Sequence, residues 1–350
     1  MPIPFRSFAS PRLVLYLLAL AAQLGPASAT AAAVTLEEYL QRLQFEAVPL
    51  QLTEVYQPHV QADLGDGKRR TFLVDTGCRL SILREGVAHK LKTLDEMGVV
   101  REDSLRGPIT NAPQAVLEKL ILGPAQFVNQ PVRVKKLDIE YVTMPYDGIL
   151  GIDFLRRNRC LIDCYKKRLY VRGSQPTAEE SAVLAETLRL SGFAEIPMRF
   201  RGLLSIAAQV NGEPIRLWVD TGAAFSMLDE AAATRLGLTA IKGSAPPTGS
   251  LIPEDLTTSF IGVNRGGKHK VRVTTLKTLE VGPRKWEKCR FGLARLDDWG
   301  IDRPGRAAAD IAGFLGPDYL TGKGALIDFA NRTLWLRPEG PPASAKASKR

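Results

Sequence analysis

The sequence predicts an all-β protein, mainly β with short helices, built as two homologous domains in tandem. Three observations predict it. The tripeptide Asp-Thr-Gly occurs twice, each time closing an apolar strand-like run: Phe72-Leu73-Val74-Asp75-Thr76-Gly77 and Leu217-Trp218-Val219-Asp220-Thr221-Gly222. Each copy is followed at the same distance by Ser, an apolar residue and Leu, as Ser81-Ile82-Leu83 and Ser226-Met227-Leu228. Both copies also lie inside a longer repeat that keeps its order. Leu120-Ile121-Leu122-Gly123-Pro124 parallels Leu279-Glu280-Val281-Gly282-Pro283, and Asp147-Gly148-Ile149-Leu150-Gly151 parallels Ala312-Gly313-Phe314-Leu315-Gly316. Leu161-Ile162-Asp163 parallels Leu326-Ile327-Asp328. The repeat is domain-sized, far longer than the ~20–45 residues of a solenoid unit.

Taken in order, residues 1–29 read as a secretory signal peptide. Arg6 and Arg12 precede an apolar stretch from Leu13 to Ala22, and Ala27-Ser28-Ala29 supplies an A-x-A pattern with the cut expected after Ala29. That stretch is short for a bilayer span, so the mature chain is expected to be secreted or periplasmic, without stable membrane insertion. The first domain is expected over 35–172, a connector over 173–192, the second domain over 193–338 and a disordered basic tail over 339–350. Thr35-Leu36-Glu37-Glu38 and Thr177-Ala178-Glu179-Glu180 are capping-box patterns that open short helices ahead of each domain. Val60 to Leu64, Gly65-Asp66-Gly67 and Thr71 to Val74 read as a hairpin running into the first motif. Ile206 to Val210, Asn211-Gly212 and Ile215 to Val219 repeat it with the strongest short hairpin signal, Asn-Gly. Asp153 and Asp318 read as helix caps. Asp163 and Asp328 read as structural carboxylates, and Arg69 and Arg70 as solvated.

The formal charge is +10, with no basic stripe or groove-reading motif, so nucleic acid is not an expected partner. Cys78, Cys160, Cys164 and Cys289 allow three full pairings, and the sequence leaves that choice open. Cys160 and Cys164 lie too far apart along one strand to bridge without a bend. With no C-x-x-C and with His59, His89 and His269 scattered, no metal site and no cofactor are expected. Cys78 has no base nearby in sequence, so it reads as a packed side chain in the loop.

These residues resemble two fused retropepsin-like aspartic protease domains, over nearly all of the chain from about Phe45 to Arg337. The motifs that carry the likeness are Asp75-Thr76-Gly77 with Asp220-Thr221-Gly222, and the apolar-apolar-Gly segments Ile149-Leu150-Gly151 and Phe314-Leu315-Gly316. The resemblance implies two acid-protease β-barrels forming a bilobal pseudo-dimer within one chain. It makes Asp75 and Asp220 the catalytic pair, with Thr76 and Thr221 bracing the loops and Gly77 and Gly222 allowing close approach. Each apolar-apolar-Gly strand would lie beside a catalytic loop in a ψ-shaped arrangement. Gly107 in the first lobe and Gly262, Gly266 and Gly267 in the second are flap candidates.

Two carboxylates held close together cannot both ionise cheaply, so such a pair shares one proton and can activate a water against a peptide carbonyl. The expected activity is that of an exported aspartic endopeptidase acting on protein or peptide substrates as a monomer. Two departures stand out. Arg79 and Ala224 occupy positions where many retropepsins place an acidic residue, and Cys78 and Ala223 stand where pepsins carry a hydroxyl. Two other readings stay open: an inactive two-lobed protein that binds a peptide or cell-wall polymer, and a dimer in which lobes pair between chains.

Overall fold

The structure, a computed structural model, describes residues 35–91, 94–102, 110–137, 146–172, 177–241, 271–295 and 311–337. The signal segment, the flap candidates Gly107, Gly262, Gly266 and Gly267 and the tail over 339–350 lie outside them. The first half contributes β1 (Glu46–Pro49), β2 (Gln51–Leu52), β3 (Pro58–Asp63), β4 (Arg69–Val74), β5 (Ile82–Arg84), β6 (Leu94–Glu102), β7 (Thr110–Leu122), β8 (Ala125–Lys135), β9 (Gly148–Leu150), β10 (Leu161–Asp163) and β11 (Arg168–Val171). The second half contributes β12 (Ala194–Pro197), β13 (Arg199–Arg201), β14 (Leu203–Val210), β15 (Glu213–Val219), β16 (Met227–Asp229), β17 (Arg272–Val281), β18 (Arg284–Ala294), β19 (Ile311–Leu315), β20 (Leu326–Asp328) and β21 (Thr333–Leu336).

Each half rolls one sheet into a barrel. The first runs β2-β3-β4-β9-β5-β8-β7-β6 and is closed by a β3–β7 pairing; the second runs β13-β14-β15-β19-β16-β18-β17 and is closed by β14–β17. Closure removes exposed edges. The turns are those the sequence asks for. Asn211 and Gly212 both take positive φ, the pair a type I′ hairpin needs. Gly65 and Gly67 do the same around Asp66. Arg70 corrects the solvated reading: it is buried and grips Asp66 bidentately, with both contacts at 2.6 Å.

A third sheet joins the halves in the order β1-β11-β10-β20-β21-β12. Its centre is the antiparallel pair β10–β20, where Ile162 faces Ile327. Leu161-Ile162-Asp163 and its repeat Leu326-Ile327-Asp328 therefore pair with each other across an approximate twofold. Asp163 accepts the N–H groups of Tyr165 and Lys166, and Asp328 accepts from Asn331, so both finish tight turns, the structural role read from sequence. One apolar cluster, from Val48 to Leu336, runs through both halves, and the described residues from Leu40 onward form one compact unit. Of the Met1–Tyr39 unit, the described residues carry the Thr35–Glu38 capping box. The helix Ala178–Leu190 opens with the reciprocal box of Thr177 and Glu180. Among the described residues no helix is long and apolar enough to cross a membrane, and all four cysteines are unpaired.

Candidate active site

Both Asp-Thr-Gly loops leave their barrels at the same place. β9 lies between β4 and β5, parallel to the first and antiparallel to the second, and β19 repeats this between β15 and β16. This is the ψ arrangement. The N–H of Asp75 donates to the carbonyl of Leu150 at 3.0 Å, and that of Asp220 donates to Leu315 at 3.0 Å. Ile149-Leu150-Gly151 and Phe314-Leu315-Gly316 thus stand directly beside the two loops. A side chain on Gly151 would strike the Leu80 backbone at 2.6 Å, and one on Gly316 the Phe225 backbone at 2.6 Å. Glycine is what lets the strand and the loop meet.

A serine–aspartate contact locks each crossing. Ser81 Oγ donates to Asp153 Oδ1 at 2.8 Å and accepts the N–H of Gly151 at 3.0 Å. Ser226 Oγ repeats this with Asp318 at 2.6 Å and Gly316 at 2.8 Å. Asp153 and Asp318 are therefore not helix caps. The capping positions of the helices Ile152–Arg157 and Pro317–Leu320 are Gly151 and Gly316, with no side-chain cap. The carboxylates reach instead to serines in the preceding loop. The signal was present in the sequence: a Ser six residues after each motif Asp, and an Asp two residues after each Gly.

The loops meet through their threonines. Thr76 N–H donates to Thr221 Oγ1 at 3.1 Å, and Thr221 N–H donates to Thr76 Oγ1 at 3.0 Å. Each hydroxyl then donates across to the other half, Thr76 to the Val219 carbonyl at 2.7 Å and Thr221 to the Val74 carbonyl at 2.6 Å. Both threonines are fully buried. Four hydrogen bonds in a dry setting fix the loops as one rigid body.

Asp75 and Asp220 are thereby brought within hydrogen-bonding reach of each other. One oxygen of each is held by its own loop. Gly77 and Cys78 donate to Asp75 Oδ1 at 2.7 and 3.0 Å; Gly222 and Ala223 donate to Asp220 Oδ1 at 2.9 and 3.0 Å. Gly77 and Gly222 are needed for approach, not for a left-handed turn. A methyl on Gly77 would sit 2.5 Å from the Asp220 carboxylate, and one on Gly222 would overlap that of Asp75. Burial pushes the titration of Asp75 up, against the pull of the Gly77 and Cys78 N–H groups. Asp220 is pushed up as well, by burial and then by the charge of Asp75. Those values belong to the pair and not to either carboxyl alone.

The two halves differ around this centre. Cys78 is half-buried and its thiol donates to the Leu80 carbonyl at 3.0 Å, away from Asp75. Burial, then the Asp75 charge, raises its pKa well above the usual thiol range, so it is a packed side chain and a poor nucleophile. Gln57, which sequence reasoning did not single out, donates through Nε2 to the Gly222 carbonyl and accepts from the Tyr146 hydroxyl at 3.4 Å. Tyr146 is pushed up to about 12 by burial and by the Asp75 charge. By the strand register Leu203 is the counterpart of Gln57 in the repeat, so among the described residues only the Asp220 loop is tied across in this way.

A family model described as Aspartyl protease matches residues 60–154 and 206–319, one segment on each motif. Among solved structures, an aspartic proteinase from Irpex lacteus aligns over 86% of this chain and 99% of its own, at 11% identity and a TM-score of 0.47. No curated protein matches the sequence.

Proposed function

We propose, from the premise that this chain belongs to the aspartyl protease family, that it is an exported endopeptidase whose two catalytic carboxylates come from the two halves of one polypeptide. The observation that carries this reading is the threonine grip, which sets the Asp75 and Asp220 carboxyls within hydrogen-bonding reach. In the singly protonated pair, the carboxylate takes a proton from a water held between the two. That water attacks the peptide carbonyl carbon, while the protonated partner donates its hydrogen bond to the carbonyl oxygen. The proton is then available for the leaving amine. Burial of both carboxyls favours the singly charged state over the dianion.

A monomer acting alone is part of this reading, and a native mass of one chain is the expected result, whereas a dimer mass would favour lobes paired between chains. Export rests on Arg6, Arg12, the Leu13–Ala22 stretch and Ala27-Ser28-Ala29. N-terminal sequencing of protein recovered outside the cytoplasm should begin at Thr30.

The test is cleavage of a mixed peptide library from about pH 3 to 8, the range where carboxylate pairs work, with Asp75→Asn and Asp220→Asn run alongside. Activity in the wild type that disappears in each variant is expected. A folded wild type that cuts nothing at any pH would instead favour a two-lobed binding protein.

A further inference from the structure

A row of side chains crosses the first barrel beside the dyad: His59, Leu73, Ile149, Ile82 and Arg133, one from each of β3, β4, β9, β5 and β8. Their strand neighbours Val60, Val74, Leu150, Leu83 and Val132 are in the core, so the row faces away from the barrel interior. In the second half, the matching row is Ser205, Trp218, Phe314, Met227 and Gly292. Trp218, Phe314 and Met227 form an apolar cluster of their own, and Ala223 and Ala224 pack on it. Those two alanines directly follow Asp220-Thr221-Gly222, so the row continues from the catalytic loop. By the repeat, the first-half row continues from Cys78 and Arg79.

The chemistry of the two faces differs sharply. Where the second half has Gly292, Ala294 and Ala224, the first has Arg133, Lys135 and Arg79. Arg133 is 9% exposed, and its Nη1 has no hydrogen-bond partner among the described residues. Arg79 is exposed and its guanidinium lies against Gly202 of the other half, 3.5 Å from where a methyl there would stand. A buried guanidinium with an unused donor is costly to leave alone. A carboxylate satisfies it best, through paired charge-assisted hydrogen bonds.

We infer that the first-half row beside the two Asp-Thr-Gly loops is a carboxylate-binding subsite. Arg133 receives an acidic side chain of the substrate, Arg79 adds a second cation beside the catalytic loop, and the second-half face receives an apolar side chain. The substrates are then polypeptides with Asp or Glu on one side of the cut and an apolar residue on the other. This inference rests on the peptidase reading, and the experiment separates the two.

Cleavage sites from a peptide library should show acidic enrichment at one position on one side of the cut. Matched peptides with Glu or Gln there should differ roughly 10- to 100-fold in kcat/KM, the range for a hydrogen bond to a charged group. In Arg133→Met and Arg133→Gln that ratio should fall to about 1, while Arg133→Lys keeps part of it. A wild type that cuts without acidic preference overturns the inference and leaves the peptidase reading standing, as does a preference that survives both Arg133→Met and Arg133→Gln. If the wild type cuts nothing, binding of the labelled Glu and Gln peptides by fluorescence anisotropy decides: the Glu peptide should still bind more tightly, and equal binding overturns the subsite.

Discussion

Thr76 and Thr221 show how much one hydroxyl can carry. Each accepts one N–H and donates to one carbonyl across the approximate twofold, and both side chains are fully buried. Thr221→Ala strips partners from the Thr76 N–H and the Val74 carbonyl, both buried, which should cost about 2–5 kcal/mol in urea unfolding. Thr221→Ser keeps the hydroxyl and should cost under about 1.5 kcal/mol, for the lost methyl alone. If the two variants are equally unstable, the grip is packing and not hydrogen bonding. The residue after each motif sets a different property. Ala223 has no hydroxyl, and the Cys78 thiol is turned to Leu80, so neither side chain stabilises a negative charge on the pair. The activity optimum should accordingly be less acidic than pepsin's. A pH–rate profile peaking below about pH 3 would contradict this, since it requires a strongly stabilised carboxylate. Ala223→Ser should move the acid limb down by about one pH unit if the new hydroxyl reaches Asp220.

Elements were legible in the sequence where the deciding signal was local. Asn211-Gly212 names its own turn, the alternation in β14 names its buried face, and the Thr177–Glu180 box starts the helix Ala178–Leu190 where the pattern places it. Thr177→Ala should cost about 1 kcal/mol by thermal unfolding and leave activity unchanged, because this cap touches neither loop. The dyad was legible for a different reason: the motif is repeated, so each copy vouches for the other. What escaped the sequence depends on distant partners. β10 and β20 look like the last strands of separate halves, because nothing in Leu161-Ile162-Asp163 says that it pairs with Leu326-Ile327-Asp328. Asp153 and Asp318 sit where a cap belongs, while their serines are 72 and 92 residues away. Arg133 is one basic residue in a strand until the register sets it opposite Ile82.

At the scale of the whole molecule, a shared six-stranded sheet, a continuous core and the buried grip tie the halves together. Heat should therefore unfold them in a single transition, and two resolved transitions would show that the grip does not couple them. The pH dependence of that transition follows from the buried carboxyls. Asp75, Asp220, Asp163, Asp318 and Asp328 all titrate higher in the fold than usual, chiefly through burial. Asp318 rises from 3.8 to about 6 even though Ser226 donates to it twice. A carboxyl raised in the folded state binds more protons folded than unfolded between those two values. Its stabilisation is thus full below the unfolded pKa and is lost as pH climbs through the folded one. For Asp318 the difference is roughly 3 kcal/mol. His59 and Glu180 act the other way, since their values are lowered and their contributions fade as pH falls. Through Asp318 the melting temperature should rise as pH falls from about 6 to about 4. Asp318→Asn keeps an acceptor for Ser226 but cannot ionise, and should flatten that rise. A melting temperature that instead drops steadily from pH 7 to 4, in the wild type and in Asp318→Asn alike, would mean that Asp318 and its buried neighbours ionise as freely in the fold as in water. A pair sharing one proton would then lose its electrostatic basis.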